Sequence, residues 1–264
     1  THNFMVTASD PKGPWSDPIP LNKTGFDPSL FHDPDGTKWL VNMLFDYRLD
    51  HKRFGGVGVQ QYDPETKKLV GPVYNVFKGS DKGTTEGPNI FYHDGWYYLV
   101  TAEGGTEFKH CVTMCRSEKL TGPYEISPYV PVLTSFGKDV QLKRAGHGQI
   151  IQGKDGNWYM AHLCSRSLDN CSITGRETAI QNMLYTDDGW FKLSDNDTAS
   201  PEDFFEVPGE VEVKPEKSGF TDFGKITEIP LEYMTLRQSA KTCGISISEG
   251  KLHIQGGNSL ASKY

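Results

Sequence analysis

Three stretches of this chain repeat one pattern of hydrophobic and polar positions: GFDPSLFHDPDGTKWLVNM, TEGPNIFYHDGWYYLVTA and AGHGQIIQGKDGNWYMAHL. Each is a small hydrophobic run, an Asp-Gly turn and an aromatic-rich hydrophobic run, which is how a β-hairpin reads in sequence. The turn residues Asp35, Asp94 and Asp155 lie 59 and 61 positions apart. Short runs at 38–44, 56–62, 96–102, 112–116, 158–163 and 179–185 read as strands, with Gly13-Pro14, Gly71-Pro72 and Gly122-Pro123 recurring as markers between them. A repeat of about 55–60 residues with about four strands predicts the blades of a β-propeller. A β-sandwich with similar hairpins is the alternative, and three matching offsets count against it.

Counting back eight residues from each turn aspartate lands on Asp27, Glu86 and His147. The innermost strand of a propeller blade lines a central channel, so polar residues just before it should face one another at the channel mouth. A partial repeat continues from Gly189-Trp190 to about Pro208. These patterns predict a partial propeller over 1–208, a charged, Pro-containing linker over 209–218, and the truncated beginning of a β-sandwich over 219–264, where apolar and polar residues alternate.

Composition narrows the function. The formal charge of −7 over 264 residues argues against nucleic acid or an anionic membrane as partner, and no stretch reaches the length of a membrane span. Aromatics at 12% with 28 Gly suit short strands and tight turns rather than long helices. Of Cys111, Cys115, Cys164, Cys171 and Cys243, the first two cannot bridge along one strand, where four residues span about 13 Å. Cys164 and Cys171 flank a loop and could pair, although buried free thiols are the preferred reading. No spacing resembles a zinc site. Sequons at Asn22, Asn170 and Asn196 tilt the expectation toward a secreted protein. The absence of an initiator Met predicts that a piece upstream has been removed.

Two carboxyls and a histidine in one pocket suit general acid/base work. Glu86 lies in Thr-Glu-Gly-Pro, a rigid setting where desolvation and the charge of Asp27 should raise its pKa, as a proton donor near neutral pH requires. Equally, Asp27 reads as a turn residue before Pro, and Glu86 as a rim carboxylate. His147 sits between glycines that allow close approach, to orient a carboxylate or hold an ion through water. Arg176 could clamp hydroxyls with its fork of donors, or pair with a surface acid such as Glu177. Trp15, Phe31, Phe45, Trp96 and Trp158 could form a sugar-stacking wall, most of them being core; Phe31 and Phe45 are the pair assigned to a ligand.

Phe26-Asp-Pro-Ser-Leu-Phe-His-Asp, Thr85-Glu-Gly-Pro, Thr101-Ala-Glu-Gly-Gly-Thr, Ala145-Gly-His-Gly and Gly175-Arg-Glu-Thr-Ala-Ile-Gln, in this order, make the chain resemble glycoside hydrolase family 43. The spacing is similar to the family's β-xylosidase / α-L-arabinofuranosidase branch. The resemblance implies an all-β fold: a five-bladed β-propeller, its N-terminal part missing from this chain, followed by the start of a β-sandwich. It implies Glu86 as general acid, Asp27 as the residue that tunes and orients it, Arg176 reaching the innermost sugar, and His147 in the channel near a calcium ion in several members. No cofactor is required. It implies inversion, with the acid and a base about 6.5–9.5 Å apart around a water. The family's base is an Asp near the start of the protein, and nothing before Asp27 resembles it; Asp10 and Asp17 lie in turn-like contexts.

The expected activity is exo-hydrolysis of xylan-derived xylo- or arabino-oligosaccharides, with the isolated chain nearly inactive for want of its base. The rival readings are a non-catalytic, pentose-binding propeller and, far weaker, a protein-interaction propeller whose slots would need no acids. A homo-oligomer is left open.

Overall fold

The computed structural model describes residues 2–168, 171–172, 175–194, 199–201, 219–230, 233, 235 and 239–256. The described residues contain strands and no α-helix. The chain divides into two compact units, Thr1–Pro208 and Gly209–Tyr264. The expected 209–218 linker lies outside the described residues.

The first unit begins with a two-stranded ribbon, β1 (Phe4–Met5) on β2 (Ile19–Pro20), and continues as three antiparallel sheets in chain order. The first is β3 (Ser29–His32), β4 (Lys38–Phe45), β5 (Phe54–Asp63) and β6 (Lys68–Phe77). The second is β7 (Glu86–His93), β8 (Trp96–Glu103), β9 (Cys111–Ser117) and β10 (Glu125–Ile126), with β11 (Leu133–Thr134) pairing back onto β9. The third is β12 (Leu142–Gln152), β13 (Trp158–Arg166), β14 (Glu177–Tyr185) and β15 (Phe191–Leu193). In the second unit β16 (Ile245–Ser248) and β17 (Lys251–Ile254) form a hairpin.

Each predicted strand run is present, lengthened by at most a few residues. The pattern missed β6, whose residues are mostly exposed. An outer strand carries little hydrophobic signal, and Pro72 is tolerated there because an edge position need not donate to a neighbour.

The sheets pack face to face through two cores. Phe31, Val41, Val57 and Val59 of the first sheet meet Ile90, Leu99 and Cys115 of the second. On its other side the second sheet presents Tyr98, Val100, Val112 and Met114 to Ile150, Met160, Phe191 and Leu193 of the third. Burying a side chain such as Leu99 contributes about 1.5–3 kcal/mol. Polar staples fix the angle between layers. The Tyr98 hydroxyl donates to Gly189 O at 2.7 Å, and the Arg116 guanidinium lies between the rings of Trp96 and Trp190, 4.2 and 4.0 Å from their centroids. All five cysteines are free thiols, four of them buried and Cys171 exposed, so Cys164 and Cys171 do not bridge.

Candidate active site

Neighbouring sheets are joined by a bond that repeats where their first strands begin. Ser29 Oγ donates to Pro88 O at 2.8 Å, and Asn89 Nδ2 donates to Gly148 O at 3.2 Å. These bonds make Ser29, Asn89 and Gln149 equivalent, and therefore Asp27, Gly87 and His147. The backbone agrees: all three are left-handed, with φ of 52°, 54° and 51°. Glu86 therefore sits one residue before the shared slot, a correction to the count of eight. The slip comes from the middle turn. The β7–β8 hairpin closes with only Asp94-Gly95 between His93 and Trp96, both left-handed as a type I′ turn requires. The β3–β4 and β12–β13 hairpins instead use five-residue connections, 33–37 and 153–157.

The slot residues meet. Asp27 Oδ2 accepts the Gly87 N–H at 2.9 Å. A Cβ on Gly87 would lie 2.4 Å from His147 Nε2, so the imidazole rests on the bare glycine and no larger residue fits. The chain leading into Asp27 lies close against β4, because a Cβ on Gly25 would fall 1.5 Å from Met43 O. The glycines beside His147 admit close neighbours, as expected: the His110 ring lies against Gly146, and Met160 and Val112 against Gly148. Each flanking glycine coincides with a break in the β12–β13 register, which turns His147 out of the ladder.

Glu86 opens β7 opposite Ala102 and is half-buried. Burial pushes its carboxyl above the ordinary value, and the negative charge of Asp27 pushes it further the same way. Both causes were expected from the sequence. A cavity of about 510 Å³ lies against the slot, lined by Asp27, Ser29, Asn89, His147, Gln149 and His162 among others.

The remaining candidates divide. Arg176 is exposed just before β14 and lines a second hollow of about 390 Å³ together with Glu107, His110 and Arg144; the two cavities share Leu163. Burial lowers the pKa of His110, against the opposing effect of its bond to the Arg144 backbone. Phe31 is only 5% exposed and packs edge-on against Tyr97 within the core between the first two sheets. It offers no free face to a sugar, which corrects its assignment. Phe45 is half-buried against Phe26 and Tyr47 and does not line the 510 Å³ cavity. Trp15 is exposed, while Trp158 packs on Phe191. Among the described residues no group of three or more His, Cys, Asp or Glu side chains is placed to hold a metal ion, so those residues do not by themselves make a calcium site at His147.

Two further histidines carry no local signal in the sequence. His110 is buried with Nδ1 2.9 Å from Arg144 O. His162 is 2% exposed, with Nδ1 2.9 Å from Leu163 O, and burial pushes its pKa down to about 4. Its Nε2 is buried without a hydrogen-bond partner among the described residues, at the wall of the larger cavity.

A half-buried acid whose carboxyl feels a second carboxylate, that second one lining a cavity, is what hydrolytic acid catalysis uses. The chain belongs to Glycosyl hydrolases family 43, the match covering residues 1–191. It is 48% identical over 206 residues to a protein named xylosidase/arabinosidase 43B from Humicola insolens, covering 76% of this chain and 38% of that protein. Against a xylan 1,3-β-xylosidase from Vibrio sp it is 41% identical, over 100% of this chain and 52% of that protein. The crystal structure of a xylan β-1,4-xylosidase from Bacillus halodurans C-125 superposes with a TM-score of 0.87 at 45% identity, over 99% of this chain and 51% of that one. The chain thus spans about half the length of these relatives or less.

Proposed function

We propose that this chain carries the acid half of an exo-acting, inverting glycosidase that removes pentose units from xylan-derived oligosaccharides, as a β-xylosidase, an α-L-arabinofuranosidase or both. Its three sheets are three blades of a five-bladed propeller, and the second unit opens a β-sandwich. Glu86 protonates the departing glycosidic oxygen. Burial raises the pKa of that carboxyl, and Asp27 raises it further and, through the Gly87 N–H, fixes its backbone. His147 and Arg176 contact the sugar. A carboxylate outside this chain activates water on the opposite face.

The observation that carries this reading is the raised pKa of Glu86, caused by burial and by Asp27. The test is nitrophenol release from aryl β-xyloside and aryl α-L-arabinofuranoside by the longer protein that the reading requires. Glu86→Gln should lower kcat about 10²–10⁴-fold on poor leaving groups and far less on dinitrophenyl glycosides, which need little protonation. Turnover indifferent to Glu86→Gln would end the proposal, and robust turnover by the chain alone would end the role given to an outside base.

A second reading is favoured by one observation: the lining of the larger cavity holds a single carboxylate, Asp27. A pentose-binding propeller without catalysis needs no more. Calorimetry with xylobiose decides, since binding without hydrolysis by the longer protein would establish it.

A further inference from the structure

Glu103 belongs to the Thr-Ala-Glu-Gly-Gly-Thr segment and lines neither of the two cavities. Its side chain has no exposed surface, an unusual place for a carboxyl unless donors surround it. Four do. Oε1 accepts the Ser80 N–H at 2.9 Å and the Thr85 hydroxyl at 2.6 Å. Oε2 accepts the Thr113 hydroxyl at 2.7 Å and the Ser80 hydroxyl. A further tie joins the backbones alongside, Gly104 N–H donating to Gly83 O at 2.7 Å.

Three of the four donors come from the segment that leads into β7. Thr85, 1% exposed, immediately precedes Glu86, and side chains of consecutive residues entering a strand point to opposite faces. Holding the Thr85 hydroxyl on the buried face therefore sets the rotation at which Glu86 leaves the other. The fit is close: a Cβ on Gly79 would come within 2.5 Å of Thr85 Oγ1. On the far side of Glu86 the chain is held by the bond from Gly87 N–H to Asp27.

We propose that Glu103 is the positioning residue for Glu86: through Thr85 and Ser80 it fixes the start of β7, so that the acid faces Asp27 in one orientation. The proposal rests on the glycosidase reading for its consequence in catalysis, but not for its structural test. Ser80, Thr85 and Thr113 hold Glu103 and do not line the cavity.

The test is amide hydrogen exchange in the chain itself, read by NMR at Gly87 and, as reference, at Ala161 in the β13–β14 ladder. Thr85→Val removes the hydroxyl while keeping the shape, and should speed Gly87 exchange about tenfold, the equivalent of one lost hydrogen bond. Thr85→Ser restores the donor and should return Gly87 to the wild-type rate. Glu103→Gln should speed Gly87 exchange less than Thr85→Val, because the hydroxyls can turn to accept from the new amide. Ala161 should be unmoved in all three. An unchanged Gly87 in folded Thr85→Val, or Gly87 and Ala161 accelerating alike, would overturn the proposal; should Glu103→Gln fail to fold, the two Thr85 variants decide. In the longer protein, Thr85→Val should lower kcat on poor leaving groups with KM retained. If Gly87 responds while Glu86→Gln leaves turnover untouched, the glycosidase reading falls and the anchoring by Glu103 stands.

Discussion

The two ends of the first strand of each sheet are built alike in sequence and differently in physics. At the hairpin end, Gly36 and Gly156 have φ of 90° and 84° and nothing within 4 Å of an added Cβ. They are glycines for backbone reasons alone, set in open solvent. At the cavity end, Gly25 and Gly87 are also left-handed, but an added Cβ would strike Met43 O or the His147 ring. The acids divide in the same way. Asp35 and Asp155 in the turns are held below the usual carboxylate range, chiefly by the Thr37 hydroxyl and the Tyr159 hydroxyl respectively. Glu86 is held above it by burial and by Asp27. One end is shaped to make a turn at low cost; the other accepts crowding and unfavourable charge to bring polar groups together, which is how functional sites depart from local preference.

The contrast can be broken most forcefully at its glycines. Gly25→Ala should destabilise the first unit by about 3–5 kcal/mol, because a backbone carbonyl cannot yield to the methyl group; urea unfolding measures it. Gly87→Ala should cost about 2–3 kcal/mol, since the imidazole can shift, and should displace His147 from the cavity wall. If either is as mild as Gly36→Ala, the cavity end is not packed as described.

Acid comes next. The folded pKa of His162, about 4, lies below its ordinary value of 6.5, so the neutral ring contributes stability that is full above about 6.5 and lost as pH falls toward 4. The loss by pH 4 should approach roughly 3 kcal/mol. His162→Gln should flatten this acid limb in urea midpoints taken between pH 7 and 4, and an unaltered limb would place the sensitivity elsewhere.

Glu86 works in the opposite direction. Its folded pKa is raised, so the folded state holds the proton longer, and stability declines as pH rises from the unfolded value through the folded one. Glu86→Gln removes that decline. The variant should unfold at the same or a higher temperature than wild type near neutral pH, while losing its capacity as an acid. A clear drop in melting temperature would show that the ionised carboxylate is welcome where it sits. The turns should respond less than the cavity glycines: Gly36→Ala and Gly156→Ala should each cost about 1–2 kcal/mol, from backbone strain alone.

The inner strands and their hairpins were readable because Asp-Gly turns and aromatic runs such as Trp96-Tyr-Tyr-Leu-Val are strong local signals. The convergence of Asp27 and His147 was readable because repetition carries position from one sheet to the next. The exact register was not. A two-residue turn in one hairpin and five-residue connections in the others displaced Glu86 from the slot by one, and turn length does not show in a count from the turn aspartate. Phe31 reads as a stacking platform as easily as core until its neighbour Tyr97 is seen. His110 and His162 lie in apolar runs with nothing local to mark them, since their role depends on what the third sheet packs against. Glu103 stood in a recognisable segment, but its partners are as far as 23 positions away in sequence.

The central claim is that Asp27 and burial together keep the Glu86 carboxyl protonated beyond the ordinary carboxylate range. The direct measurement is a ¹³C NMR titration of that carboxyl in the wild-type chain and in Asp27→Asn, which removes the charge and leaves an oxygen to accept the Gly87 N–H. Glu86 should titrate above 4.5 in the wild type, and lower, though still raised by burial, in the variant. A Glu86 that titrates at or below 4.5, or whose titration ignores Asp27→Asn, would contradict the account.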